Sequence, residues 1–366
     1  MSLEGVDVSN TIRVLRSGEI VIMKNRYLLA FGVLLIIATI ACNSNSSGSD
    51  ANSVKLQGAG ASFPAPLYTK WFKDFGGAHK DVLVDYQSVG SGSGVKSVID
   101  KTVDFGASDA AMTDEEISRA PGGVQLLPMT AGSIVIAYNL PDVKDLKLPR
   151  KVYPEIFLGK IKKWNDPAIA KANPGSKLPD QPINVVVRAD SSGTSFVFSK
   201  HLSAISPDFD KAVGTNKMPN WPVGTKSKGN EGVTASLMTT PGSIGYIEFG
   251  YARSQSVPFA QLENKAGKYV TADTASGQAA LASAQLPDNL IVWNSDPEGD
   301  SAYPIVTYTW QIFYKKYDAK KAAAIQDLIK YELNEGQKDA EAMGYIPLPA
   351  NVVAKDLSAS STITAQ

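Results

Sequence analysis

The sequence predicts an α/β fold, and three observations lead there. Strand-like runs alternate with helix-like runs along the body of the chain, short Ser/Gly loops sit at the junctions, and no repeat of 20–50 residues suggests a solenoid or propeller. With 366 residues, 43% apolar and 20% charged, the chain has material for two domains of ordinary size. Its 36 basic and 36 acidic side chains cancel, and no basic stripe marks a nucleic-acid groove.

The N-terminal part reads as targeting rather than fold. Residues 1–22 look like an upstream start-site extension. Met23-Lys24-Asn25-Arg26 is basic, and Tyr27 to Ala41 follows without a charge. Those 15 residues fall short of the roughly 20 that span a bilayer as a helix, so the segment reads as an export signal. It ends at Thr39-Ile40-Ala41-Cys42, which resembles the lipobox of bacterial lipoproteins, with Cys42 as lipid attachment site and mature N-terminus. The alternatives are a plain secretory signal with an incidental Cys and an uncleaved anchor helix. Cys42 is the only cysteine, so no disulfide supports the fold. Residues 42–53, polar and without periodicity, read as a flexible tether.

In the body, Gly58 to Pro64 lies between a short strand and a helix, with Pro64 suited to the first helical turn. Val82–Tyr86 is a strand, followed by the loop Gly90-Ser91-Gly92-Ser93-Gly94 and a helix over Val95–Lys101. Thr113-Asp114-Glu115-Glu116 fits a capping box. Ile183–Val187 is strongly β-branched and leads through Arg188 to Ser195 into a helix over Phe196–Leu202. Lys320 to Glu335 has helical composition.

The three Ser/Gly loops share one chemistry. Each places backbone N–H groups and hydroxyls at a helix start, where partial positive charge favours oxyanions, and small residues let a ligand approach the backbone. Singly, each is an ordinary N-cap; together, with an Arg-x-Asp in the third, they point to an anion site built from several loops.

Other chemistries fit poorly. Gly90 to Ser97 misses the nucleotide P-loop because Val95 stands where that motif has Gly, and Gly58-x-Gly60 has Phe63 where a dinucleotide fingerprint has its third Gly. The two histidines, His79 and His201, read as structural or surface residues, and no Gly-x-Ser-x-Gly elbow is present. No spacing of His and carboxylates suggests a metal site. Trp71 and Trp164 read as core or lobe-surface packing rather than as ligand-stacking residues.

Read in order, these segments resemble the substrate-binding component of high-affinity phosphate ABC importers, from about Lys55 to Val353. The marks are Gly58-Ala-Gly-Ala-Ser-Phe-Pro-Ala-Pro66, Val103-Asp-Phe-Gly-Ala-Ser-Asp109, Leu158-Gly-Lys-Ile-Lys-Lys-Trp164, Arg188-Ala-Asp-Ser-Ser-Gly-Thr-Ser-Phe196 and Pro241-Gly-Ser-Ile-Gly-Tyr246. The resemblance implies a two-lobed periplasmic binding protein of type II, each lobe a mixed sheet flanked by helices, joined by a two-segment hinge. It puts lobe one at 54–136 and 303–356, lobe two at 137–302, and leaves 357–366 as a tail.

The same resemblance implies a phosphate site in the cleft. Ser62, Phe63 and Ser91 supply donors from one lobe, and Asp109 is the carboxylate. Arg188 is the cation, paired with Asp190, and Ser192, Gly193 and Thr194 supply donors from the other lobe. Ser62 stands where many relatives have Thr, and Ser191 where many have Gly; neither change removes a donor. The implied protein is not an enzyme and needs no cofactor. It is a monomer, held at the periplasmic or extracytoplasmic face by a lipid on Cys42, and it passes phosphate to a membrane permease. The competing readings are a phosphate sensor, a binder of another oxyanion, and a secreted phosphatase.

Overall fold

The computed structural model describes residues 53–366. The signal segment, Cys42 and the tether up to residue 52 lie outside the described residues. Eight strands form the main sheet: β1 (Val54–Gly60), β2 (Val82–Ser88), β3 (Phe105–Ser108), β4 (Val124–Tyr138), β5 (Asn184–Arg188), β6 (Thr225–Ser227), β7 (Ser243–Glu248) and β8 (Val306–Tyr314). Their order is β2-β1-β3-β8-β4-β7-β5-β6.

β4 is the element that makes two lobes from one sheet. Its residues Val124–Ser133 pair with β8, and its last five, Ile134–Tyr138, pair with β7. On one side β2, β1 and β3 run parallel, with β8 antiparallel between β3 and β4. On the other, β7, β5 and β6 are parallel to one another. The chain crosses back just before β8, where the Ile134 N–H donates to the carbonyl of Ile305 at 2.9 Å. This is the two-lobed mixed α/β architecture expected, with two strands of chain passing between lobes. A small sheet of Tyr269–Val270, Gln261–Glu263 and Lys147–Leu148 flanks the main one.

Helices follow the strand–loop–helix order read from the sequence. α1 (Ala65–Ala78) follows β1, α2 (Ser91–Ile99) follows β2, and α3 (Asp114–Arg119) follows β3. α4 (Gly193–Ile205) follows β5, α5 (Gly229–Thr239) follows β6, and α6 (Ala319–Leu333) follows β8. The Thr113 capping box forms as expected: Thr113 Oγ1 accepts from Glu116 N at 3.2 Å, and Glu116 Oε2 accepts from Thr113 N at 2.9 Å.

Among the boundaries that differ from the expectation, which include the start of α4 at Gly193 rather than Phe196, two have plain physical reasons. α2 starts at Ser91, four residues early, because the helix absorbs the Gly/Ser run. Gly90 turns the chain at φ +94°, and Gly94 lies so close to Gly60 that a Cβ would sit 2.6 Å from the Gly60 Cα. The segment 357–366 is not a loose tail. Its first residues complete the helix Ala350–Ser360, and Thr364–Ala365 pairs with Lys316–Tyr317.

Aromatic side chains pack on both sides of β4 within one continuous hydrophobic core. On one side, Trp71 is fully buried and its Nε1–H donates to the Gly336 carbonyl at 2.7 Å. On the other, Trp164 is fully buried and its Nε1–H donates to the Gly242 carbonyl at 2.9 Å. Both tryptophans are packing residues with their single donor satisfied. His201 is likewise locked in the core, its Nδ1 2.7 Å from the Ser295 carbonyl and its Nε2 2.8 Å from the Tyr153 hydroxyl. That places the proton on Nδ1, and burial pushes the imidazole down to about 4.

Candidate functional site

Four helix N-termini converge where the lobes meet. Three belong to the loops singled out in the sequence, before α1, α2 and α4. The fourth, before α5, was not anticipated.

From the first lobe, Ser62 is buried just before α1. Its Oγ accepts two hydrogen bonds, from the backbone N–H of Asn230 at 3.0 Å and from Asn230 Nδ2 at 2.9 Å. A hydroxyl that accepts twice has its own proton left to donate. Phe63 packs its ring against Gly132, and its carbonyl accepts from Tyr345 at 2.8 Å. Ser91 opens α2 and its Oγ accepts from the Asp109 N–H at 3.3 Å.

Asp109 follows β3 and is enclosed, 1% exposed. Its Oδ1 accepts from the Thr309 hydroxyl at 2.9 Å, and its Oδ2 is 3.5 Å from Ser91 Oγ. Burial pushes its carboxyl up to about 7, against the Thr309 hydrogen bond, the Arg188 charge and the Ser91 and Thr194 hydroxyls.

From the second lobe, Arg188 ends β5 with its side chain 1% exposed. Its Nε donates to Asp190 Oδ1 at 2.9 Å and its Nη2 to Asp190 Oδ2 at 2.6 Å, a forked pair. Asp190 Oδ1 also accepts from the Gly229 N–H at 3.0 Å. Burial pushes this carboxyl up, but the hydrogen bond and charge of Arg188 outweigh it and the net effect is downward. The remaining Arg188 nitrogen, Nη1, is buried without a partner among the described residues. Ser192 caps α4, its Oγ accepting from Ser195 N at 2.9 Å. Thr194 Oγ1 accepts from Asn230 Nδ2 at 3.1 Å, which frees its own proton.

The lobes are in contact across this centre. A Cβ on Gly193 would sit 2.4 Å from Ser91 Oγ and 2.7 Å from Asp109 Oδ2, so only glycine admits this approach. Gly92 N–H donates to the Ser191 carbonyl at 2.9 Å, and the Tyr251 hydroxyl donates to the Ser62 carbonyl at 2.6 Å. All nine anticipated residues therefore lie on the loops that meet here: Ser62, Phe63, Ser91, Asp109, Arg188, Asp190, Ser192, Gly193 and Thr194.

Two further residues complete the arrangement. Asn230 holds the Ser62 and Thr194 hydroxyls from opposite lobes, and its Oδ1 accepts from Glu248 N at 2.9 Å. Its signal was present in Ser227-Lys-Gly-Asn-Glu-Gly232, a turn of the same kind as the other three, but the strand before it has three residues and an exposed Lys226. Thr309 is fully buried on β8, within Thr307-Tyr-Thr-Trp-Gln311, where polar residues alternate with aromatics.

Chemically the site offers hydroxyl donors, helix N-termini and one guanidinium around a single carboxylate. That suits a small tetrahedral oxyanion carrying at least one proton. Among the described residues no cluster of His, Cys, Asp and Glu could hold a metal, and no helix is long and apolar enough to cross a membrane.

Comparison with known proteins agrees in fold and in family. Residues 45–335 match the model of the PBP superfamily domain. The phosphate-binding protein PstS of Pasteurella multocida (strain Pm70) is 41% identical over 307 residues, covering 82% of this chain and 88% of that protein. That of Methanocaldococcus jannaschii is 35% identical over 370 residues, covering 92% and 95%. Among solved structures, the phosphate-binding protein from Stenotrophomonas maltophilia superposes with a TM-score of 0.68 at 22% identity, covering 84% of this chain and 94% of that one.

Proposed function

Since the chain belongs to the PBP superfamily and, within it, to the phosphate-binding proteins PstS, we propose that it binds inorganic phosphate between its two lobes and delivers it to the permease of an ABC-type importer. The observation that carries the reading is Arg188: a buried guanidinium, oriented by Asp190, with Nη1 unpartnered among the described residues at the meeting point of four helix N-termini. A buried cationic donor without an acceptor is costly, and an anion removes that cost.

In this reading Arg188 and the hydroxyls of Ser62, Ser91 and Thr194 donate to phosphate oxygens, with backbone N–H groups at Phe63 and Gly193. Asp109 receives the hydrogen that phosphate carries near neutral pH and sulfate lacks. Facing sulfate, an ionised Asp109 would meet a negative oxygen with no proton between them, a penalty of about 1–3 kcal/mol or more for a buried charged group. Lobe one is 54–136 with 303–356, and lobe two is 137–302. Each lobe holds only part of the donors, so phosphate favours the closed form, and a permease can tell loaded protein from unloaded.

The protein is a carrier, not an enzyme. The phosphatase alternative has no support in the site: His201 is held in the core by Tyr153 and Ser295, and the cluster contains no histidine to act as a base. The lipid on Cys42 keeps the carrier at the extracytoplasmic face, as a monomer. Calorimetric titration in phosphate-free buffer with phosphate, arsenate, sulfate and molybdate tests the reading. Submicromolar binding of phosphate and arsenate with rejection of the other two is expected; equal affinity for sulfate would overturn it.

A further inference from the structure

Beside the anion site, a partly buried ion pair also joins the lobes. Lys217 lies between α4 and β6 in lobe two, and its Nζ is 3.0 Å from Glu116 Oε1 and 3.4 Å from Oε2 in α3 of lobe one. Both side chains are largely withdrawn from solvent, 18% and 26% exposed. Other ion pairs, such as Lys96–Asp100 and Lys163–Asp180, are more exposed and lie within one lobe.

What distinguishes this pair is what each partner holds besides the other. Glu116 closes the capping box with Thr113, four residues beyond Asp109, so its carboxylate is fixed to the loop that carries the site's own carboxylate. The Lys217 carbonyl accepts from the Ser192 N–H at 2.8 Å, so its backbone is fixed to the loop that carries Ser192, Gly193 and Thr194. Its neighbour Asn216 is tied to α4, donating its N–H to Ser199 Oγ at 3.1 Å. The ion pair therefore connects the loop that carries Asp109 to the loop that carries Ser192, Gly193 and Thr194.

The geometry points to Glu116 and Lys217 as an interlobe latch: positioning residues that form their bond only when the cleft closes and so slow the escape of bound phosphate. This rests on the phosphate reading above and adds its regulation. Neither residue is among the donors assigned to the anion above. The latch acts on the closed state, after the anion has arrived, so it changes the dissociation rate and leaves the association rate nearly alone. Because it is an ion pair near the surface, salt weakens it.

The test is stopped-flow release of inorganic phosphate from the full chain and three variants. Glu116→Gln is the sharper single change, since Gln at that position still completes the capping box. Lys217→Ala keeps the backbone bond to Ser192. Each single variant is expected to raise the dissociation rate about fivefold, with an association rate within about twofold of wild type. The double variant E116Q/K217A is expected to release phosphate no faster than either single variant, since both remove the same bond. Raising ionic strength is expected to speed release from wild type and to have little effect on either single variant. Single variants that release phosphate at the wild-type rate overturn the latch, as does a double variant in which the two single effects multiply. A wild-type chain that binds no phosphate overturns the function instead, so the two failures are distinguishable.

Discussion

Replacing Asp109 by Asn separates stability from selectivity. The carboxyl is fully enclosed and pushed from 3.8 up to about 7, by burial first, against Thr309, Arg188, Ser91 and Thr194. A rise of that size corresponds to about 4 kcal/mol by which the phosphate-free fold disfavours the ionised form. Below about pH 4 both folded and unfolded chains hold the proton, and the group has no effect on stability. Between about pH 4 and 7 the folded state binds more protons than the unfolded one, so wild-type stability falls as pH rises, and the whole cost is present above about pH 7. Asn cannot ionise. Asp109→Asn is therefore expected to be more stable than wild type by up to about 4 kcal/mol at pH 8 and nearly equal at pH 4. Selectivity moves the other way. The amide offers N–H donors where the carboxylate only accepts, so the variant is expected to lose roughly 10- to 100-fold of its preference for phosphate over sulfate. Wild type is expected to approach the variant's selectivity as pH falls below about 7. Urea unfolding at the two pH values in phosphate-free buffer, with calorimetry for both anions at pH 8, reads both effects. A variant that tracks wild-type stability at both pH values, or that still rejects sulfate as wild type does, refutes the reasoning.

Arg188→Lys keeps the charge but loses the fork that grips Asp190, and is expected to weaken phosphate binding by about 100-fold or more in calorimetry, with an unchanged circular dichroism spectrum. Gly193→Ala puts a methyl within 2.4 Å of Ser91 Oγ across the cleft, and is expected to hold the lobes apart in phosphate-saturated small-angle scattering where wild type is compact. Glu332, fully buried and hydrogen-bonded by Gln311 at 2.7 Å, is pushed by burial from 4.5 up to about 8, so wild-type stability falls between those pH values. Thermal melting at pH 6 and pH 9 is expected to show Glu332→Gln gaining on wild type at the higher pH.

Much of this fold was legible because its signals are local. The β-branched run before Arg188 and the charged, Ala-rich run after Asp318 name their own secondary structure. β4 was not legible. Its 15 residues carry Pro128, which argues against a central strand, yet the register shifts opposite Thr309 and Trp310 and accommodates it. The same irregularity lies beside Thr309, whose hydroxyl holds Asp109. The start of α2 was misplaced because a Gly/Ser run has low helix propensity, and the close approach of Gly94 to Gly60 overrides it.

The site divides along the same line. Residues whose role sits in a contiguous loop could be read: Arg188 and Asp190 are two apart, and their forked bond needs only local geometry. Residues whose role is to hold something from the other lobe could not. Asn230 is 168 positions from Ser62 and 36 from Thr194, and nothing in its own neighbourhood says that it keeps both hydroxyls turned to donate. Glu116 reads fully as a capping residue, and its second oxygen contact, to Lys217, is 101 positions away. A site assembled from two lobes stores its information in such pairs. Each loop alone is an ordinary helix cap, and it becomes half of a binding site only because glycine at 193 lets the opposite loop come within a methyl's width.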